Sequence, residues 1–144
     1  DIDCSLIAGR YTLLNHDPLS GDFAELQERN VSVIAGGVFN SGILATGIKG
    51  RNVTYDYQAV RPEVVSRVQA IETVCETHGV SLAAAAIAFV ELHPAVATVV
   101  LGAQNVEEVH ANTAAMAAPV PAAFWDELKQ RGLIPEDAPT TAPA

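Results

Sequence analysis

The chain has 144 residues, 17 acidic and 8 basic, a formal charge of −9, and 49% apolar against 17% charged side chains. That balance belongs to a compact folded domain and excludes a disordered polymer. Its scattered Lys and Arg offer no clustered basic surface to nucleic-acid phosphates, and no apolar run approaches the roughly 20 residues that cross a bilayer.

The N-terminus lacks the basic-then-apolar pattern of a secretory signal. It opens at Asp1 without an initiator Met and runs almost at once into an apolar stretch, so it reads as a piece from the middle of a longer, cytoplasmic protein. Residues 4–14 (CSLIAGRYTLL) predict a buried strand leading into a loop, with a turn at Asn15, His16, Asp17 and Pro18. Ser20 is placed to cap a short helix in which Phe23 and Leu26 recur at i and i+3, closed by Asn30. Residues 31–35 (VSVIA) are a β-branched run of the kind that parallel sheets bury on both faces, and Gly36 and Gly37 end it.

The stretch 38–61 has little periodicity and predicts a long functional loop. Pro62 opens a helix with Val64, Val65, Val68, Ile71, Val74 and Cys75 on one stripe and Gly79 as its stop. Ser81 caps another over 82–92, ended by His93-Pro94. Residues 96–101 (VATVVL) predict a third strand. After it, Asn105 with Glu108 three residues on forms a capping-box start to a helix that runs to Met116. A last amphipathic helix spans 121–131, carries Trp125 and Leu128, and stops at Gly132. The Pro-, Thr- and Ala-rich segment 135–144 predicts a disordered tail, which leaves 1–134 as the folded part.

Alternating strands and helices imply right-handed βαβ units on a parallel sheet. Three strands cannot close a barrel, and a (β/α)8 barrel takes about 250 residues. The length therefore admits a small open α/β sheet or the last third to half of a barrel, and the opening at Asp1 favours the second.

Little in the sequence points to catalysis. The four histidines show no HxH or HExxH spacing, and Cys4 and Cys75 lack metal-ligand spacing, so no metal site is expected. No GxSxG elbow is present. At the end of the second predicted strand, Asn40, Ser41 and Gly42 offer backbone amides and a hydroxyl that can cradle a pyrophosphate without a large positive charge. Taken alone, that run reads as a flexible loop, since glycine-rich runs are weak signals. Glu108 and Asn112, four apart, share a helix face, and taken alone that helix is equally an ordinary capped surface helix.

Five segments carry a wider resemblance: AGRYTLLN (8–15), VIAGGVFNSGILATG (33–47), YDY (55–57), HPAVATVVLGAQNVEEVHAN (93–112) and PVPAAFWDELKQRGLI (119–134). In that order they resemble the C-terminal half of the aldo/keto reductase family, in its branch of aldose and pyridoxal dehydrogenases. The resemblance implies an α/β fold: about the last three βα units, plus the terminal helix, of a (β/α)8 TIM barrel. It implies an NAD(P)-dependent oxidoreductase that oxidises a sugar hemiacetal or small alcohol, or reduces a small aldehyde. NAD or NADP would be bound by Val38, Phe39, Asn40, Ser41 and Gly42 after one strand and by Gly102, Ala103, Gln104, Asn105, Glu108 and Asn112 after the next. Tyr55 and Tyr57 would flank the substrate mouth.

The family's catalytic Asp, Tyr, Lys and His come from earlier strands, so no catalytic residue is assigned to this chain. Three positions depart from the family pattern. Gln104 stands where an Arg usually pairs with the 2′-phosphate of NADP, while Glu108 is placed to accept from a ribose hydroxyl, so NAD should be accepted at least as well as NADP. Gly36 replaces a Tyr that stacks on nicotinamide, and Ala8 replaces a Gln. Tyr11 would either substitute for that ring or pack internally. The expected partners are a nicotinamide dinucleotide, a small carbonyl or sugar substrate, and either the N-terminal half of the barrel or a second copy, because a half barrel leaves strand edges open. The alternative is a non-catalytic half-barrel acting as a nucleotide-binding or self-associating module.

Overall fold

In the computed structural model, residues 2–49, 54–55 and 58–141 are described. The elements in order are β1 (Cys4–Ala8), a 3-10 turn (Asp17–Ser20), α1 (Asp22–Glu28), β2 (Ser32–Gly36), α2 (Ile43–Thr46), β3 (Thr54–Tyr55), β4 (Gln58–Ala59), α3 (Pro62–His78), α4 (Leu82–Glu91), β5 (Val96–Val100), α5 (Val106–Ala117) and α6 (Ala122–Gln130). β1, β2 and β5 form a parallel sheet with β2 in the middle. Its register sets Ala8 beside Gly36 and Gly36 beside Val100, so the three carboxyl ends finish level along one rim.

Burial follows strand position. Val33, Ala35 and Gly36 of the central strand are buried, whereas β1 and β5, each paired on one side only among the described residues, bury none of theirs fully. The helix layer centres on α4, which packs against α2, α3, α5 and β5. Its alanines are why: Ala84, Ala85 and Ala86 are all buried and let neighbouring backbones approach closely, while Ile87, Phe89 and Val90 fill the space around them. α5 buries no residue at all. Ile2, Leu6 and Val100 near the sheet edges, and Val106, Val109 and Met116 on α5, stay about half exposed or more.

The caps at Ser81 and Asn105 form as expected. Each side chain accepts a hydrogen bond from the N–H three residues on, Ala84 at 3.1 Å and Glu108 at 2.8 Å, and Gly79 ends α3 in the left-handed region at φ 65°. Four expectations are corrected. The first strand stops at Ala8, because Gly9 turns the chain at φ 68°, and Tyr11, Leu13 and Leu14 fold back into the core. Ser20 does not cap α1. Gly21 holds that place, and the Ser20 hydroxyl donates to the Asp17 carbonyl at 2.7 Å. The stretch read as one long loop contains α2 and the β3–β4 hairpin. Finally, the segment read as a tail packs in part. Ala138 is buried in the core cluster and its N–H donates to the Pro135 carbonyl at 3.2 Å, since small side chains in a turn can enter a core that composition alone does not reveal.

Candidate functional site

The turn after β2 is unusual in its backbone. Gly37 (φ 62°), Asn40 (φ 45°), Ser41 (φ 60°) and Gly42 (φ 95°) all lie in the left-handed region, which Asn tolerates and Ser enters at a penalty of roughly 1–2 kcal/mol. Hydrogen bonds from Asn40 N–H to Gly37 C=O and from Gly42 N–H to Phe39 C=O, both 3.0 Å, hold the turn. At Gly37 only a hydrogen fits, because a Cβ there would stand 2.9 Å from Gly9 N and 3.2 Å from Gly9 Cα. That close approach lets Gly9 N–H donate to Gly36 C=O at 2.8 Å and ties the β1 and β2 ends together.

The turn after β5 is laced to its own helix. Gln104 N–H donates to Glu108 Oε2 at 2.7 Å, Asn105 Nδ2 to Glu108 Oε1 at 3.3 Å, and Asn112 Nδ2 to Gly102 C=O at 3.2 Å. This capping box fixes where the Glu108 carboxylate sits.

Between the two turns lies a cleft of about 680 Å³ at the sheet's carboxyl rim. One wall is Val38, Phe39, Asn40, Ser41 and Gly42, and the other is Gly102, Ala103, Gln104, Glu108 and Asn112. Thus the structure brings together every residue assigned to the cofactor except Asn105, which caps α5 beside the cleft instead of lining it. Sequence reasoning missed Gly37, Ala45, Thr46, Ala83, Val100, Leu101 and Ala111. Ala111 was within reach, since it sits three residues after Glu108 on the same helix face. Ala83, on the first turn of α4, gave no local signal.

Glu108 is the only charged residue among the described lining residues, so the cleft's donors are neutral amides and hydroxyls. One donor set stands out. Asn40 is 3% exposed, and neither its Nδ2 nor its Oδ1 has a hydrogen-bond partner among the described residues.

The other aromatic and titratable residues lie elsewhere. Tyr55 does not line the cleft; it is half-buried against the core, and Tyr57 lies outside the described residues. Tyr11 packs internally against Phe23, Phe89 and His93, with ring centroids 4.9, 5.0 and 5.3 Å away, and burial pushes its hydroxyl pKa up. It supplies no ring to the rim. Burial also pushes His93 down to about 4, and His93 Nδ1 accepts from Ala95 N–H at 3.1 Å. His16 is likewise pushed down to about 4, by burial first and the nearby Arg67 second. Among the described residues, no group of three His, Cys, Asp or Glu side chains is placed to hold a metal.

A parallel sheet backed by helices, with its cleft at the strands' carboxyl ends, is the architecture of a (β/α)8 barrel, here in part. The model of the aldo/keto reductase family matches residues 1–132, and the chain belongs to that family of oxidoreductases. It is 36% identical over 134 residues to pyridoxal 4-dehydrogenase of Microbacterium luteolum, a match covering 93% of this chain and 39% of that protein. It is 35% identical over 135 residues to D-threo-aldose 1-dehydrogenase of a Pseudomonas species, covering 94% and 41% respectively. The chain therefore spans about two fifths of the length of these curated relatives. Among solved structures, the aldo-keto reductase AKR11C1 of Bacillus halodurans superposes in its apo form with a TM-score of 0.68 at 23% identity, over 99% of this chain and 46% of that one. Its holo form gives 0.63 at 22% identity, over 96% and 44%.

Proposed function

We propose that the cleft holds the pyrophosphate and adenosine portion of a nicotinamide dinucleotide, and that the chain is the cofactor-binding C-terminal part of a dehydrogenase or reductase. The observation that carries this reading is the convergence of two separate turns, one after β2 and one after β5, on a single cleft whose described lining is neutral except for Glu108. A pyrophosphate needs N–H donors, and neutral amides supply them without cations, which suits a chain of charge −9. The unpartnered Asn40 amide fits a site completed by a ligand. When bound, the nicotinamide supplies or accepts the hydride. This chain's part is to bind and orient the remainder of the dinucleotide.

The substrate class follows from the relatives' names: a sugar hemiacetal or small alcohol oxidised, or a small aldehyde reduced. Tyr55 is proposed as a flanking substrate contact, and the groups that move the proton are assigned to the barrel units outside this chain. The protein is assigned to the cytoplasm, where Cys4 and Cys75 remain thiols.

Cofactor choice follows from charge. Gln104 carries no cation for a 2′-phosphate, and Glu108 presents a carboxylate fixed by the Gln104 N–H, so NAD is accepted at least as well as NADP. Competitive titration of NADH and NADPH against the intact protein tests both claims. Binding of neither removes the nucleotide reading, and a strong NADPH preference removes the NAD reading alone. Gln104→Arg should raise NADPH affinity by about tenfold through a charge-assisted pair.

The exposed Leu6, Val100, Val106 and Val109 favour an association through the open sheet edges and α5. The remaining βα units of a barrel are the proposed occupant. Sedimentation of the chain with and without those units would instead show a second copy there if the self-associating reading holds.

A further inference from the structure

The Asn40 side chain carries more information than its place in the cleft. It is 97% withdrawn from solvent by its 3% exposure, it lines the cleft, and both its Nδ2 and Oδ1 lack partners among the described residues. Nearby polar groups are already engaged: Thr46 Oγ1 donates to Gly42 C=O at 3.3 Å, and Gly102 C=O accepts from Asn112 Nδ2. A carboxamide presents two donor hydrogens on nitrogen and an acceptor on oxygen. Whatever completes it must offer an acceptor and a donor side by side.

A phosphate fails that requirement. Its oxygens are acceptors only, so they would serve Nδ2 and leave the Oδ1 lone pairs facing negative charge, still unmade. A hydroxyl both donates and accepts, and a vicinal diol spans both amide atoms. Resting on the nucleotide reading above, we propose that Asn40 is a sugar-recognition residue: its side-chain amide pairs with ribose hydroxyls of the dinucleotide.

Two variants separate the possibilities. Asn40→Gly keeps the left-handed backbone and removes the amide, whereas Asn40→Asp keeps the shape and offers two acceptors, which a diol satisfies and a phosphate repels. NADH titration of the intact protein should show Asn40→Gly weakened about tenfold and Asn40→Asp within about threefold of wild type. The reverse order, with Asp binding more weakly than Gly, would place a phosphate at this side chain and overturn the proposal. An unchanged NADH affinity in Asn40→Gly, with a lowered melting temperature, would also overturn it, since the amide's partner would then be protein. If wild type binds no NADH, the nucleotide reading itself fails, a result distinct from either of these.

Discussion

Two glycines at the same rim have opposite reasons for being glycine. Gly37 needs its missing Cβ twice over: its φ of 62° strains any L side chain, and a Cβ would collide with the Gly9 backbone at 2.9 Å, which cannot swing aside. Gly102 has nothing within 4 Å of where its Cβ would stand. Gly37→Ala should therefore destabilise the fold by about 2–3 kcal/mol, from strain plus overpacking, read as a shift in the urea midpoint. It should also weaken nucleotide binding by moving the Asn40 turn. Gly102→Ala should stay within about 0.5 kcal/mol of wild type in stability, yet its methyl projects at the cleft wall, so nucleotide affinity should fall without unfolding. If both variants lose stability equally, the distinction between a backbone approach and an open wall is wrong.

Two helices, α4 and α5, owe their starts to single side-chain hydrogen bonds. Ser81→Ala and Asn105→Ala each remove the acceptor for one otherwise unmatched N–H, and each should lower unfolding free energy by about 1 kcal/mol. Asn105→Ala should do so although Asn105 does not line the cleft. These caps, the α3 stripe and the Gly79 stop were legible in the sequence because a cap and its partner lie three residues apart and the signal is wholly local. Ser20 had the same chemical credentials at α1 and lost the role to Gly21, since the preceding 3-10 turn had already engaged its hydroxyl. α2 and the β3–β4 hairpin were not legible: four-residue and two-residue elements are too short to show a period. The same limit hid the end of β1, where the inward return of Tyr11 depends on Phe23 and Phe89, remote in sequence.

At the scale of the molecule, strand-helix alternation fixed the parallel sheet in advance, and family order placed the two turns of the cleft. No local pattern could announce Ala83 or the burial of Ala138, because both depend on which elements meet. The same packing that hides these residues also shelters histidines, and this gives the protein a pH dependence. His93 and His16 have folded pKa values pushed down to about 4 from an ordinary 6.5. Between those limits the unfolded chain binds protons that the folded chain refuses, so stability falls as pH is lowered from about 6.5 toward 4 and is fully present above 6.5. The limiting slope is about 1.4 kcal/mol per pH unit for each histidine. Below that window a second loss sets in. The Glu127 carboxyl is held below its usual range by His78 at 2.7 Å and by Arg131, and the contacts it joins between α3 and α6 weaken as it protonates. His93→Asn keeps an acceptor near the position of Nδ1 for the Ala95 N–H but cannot titrate. It should be less stable than wild type at pH 7, having lost the ring contacts with Phe23 and Tyr11. Its stability should nonetheless change less between pH 7 and pH 5, in urea unfolding series at each pH. A variant whose pH slope matches wild type would show that His93 is not among the groups that set it.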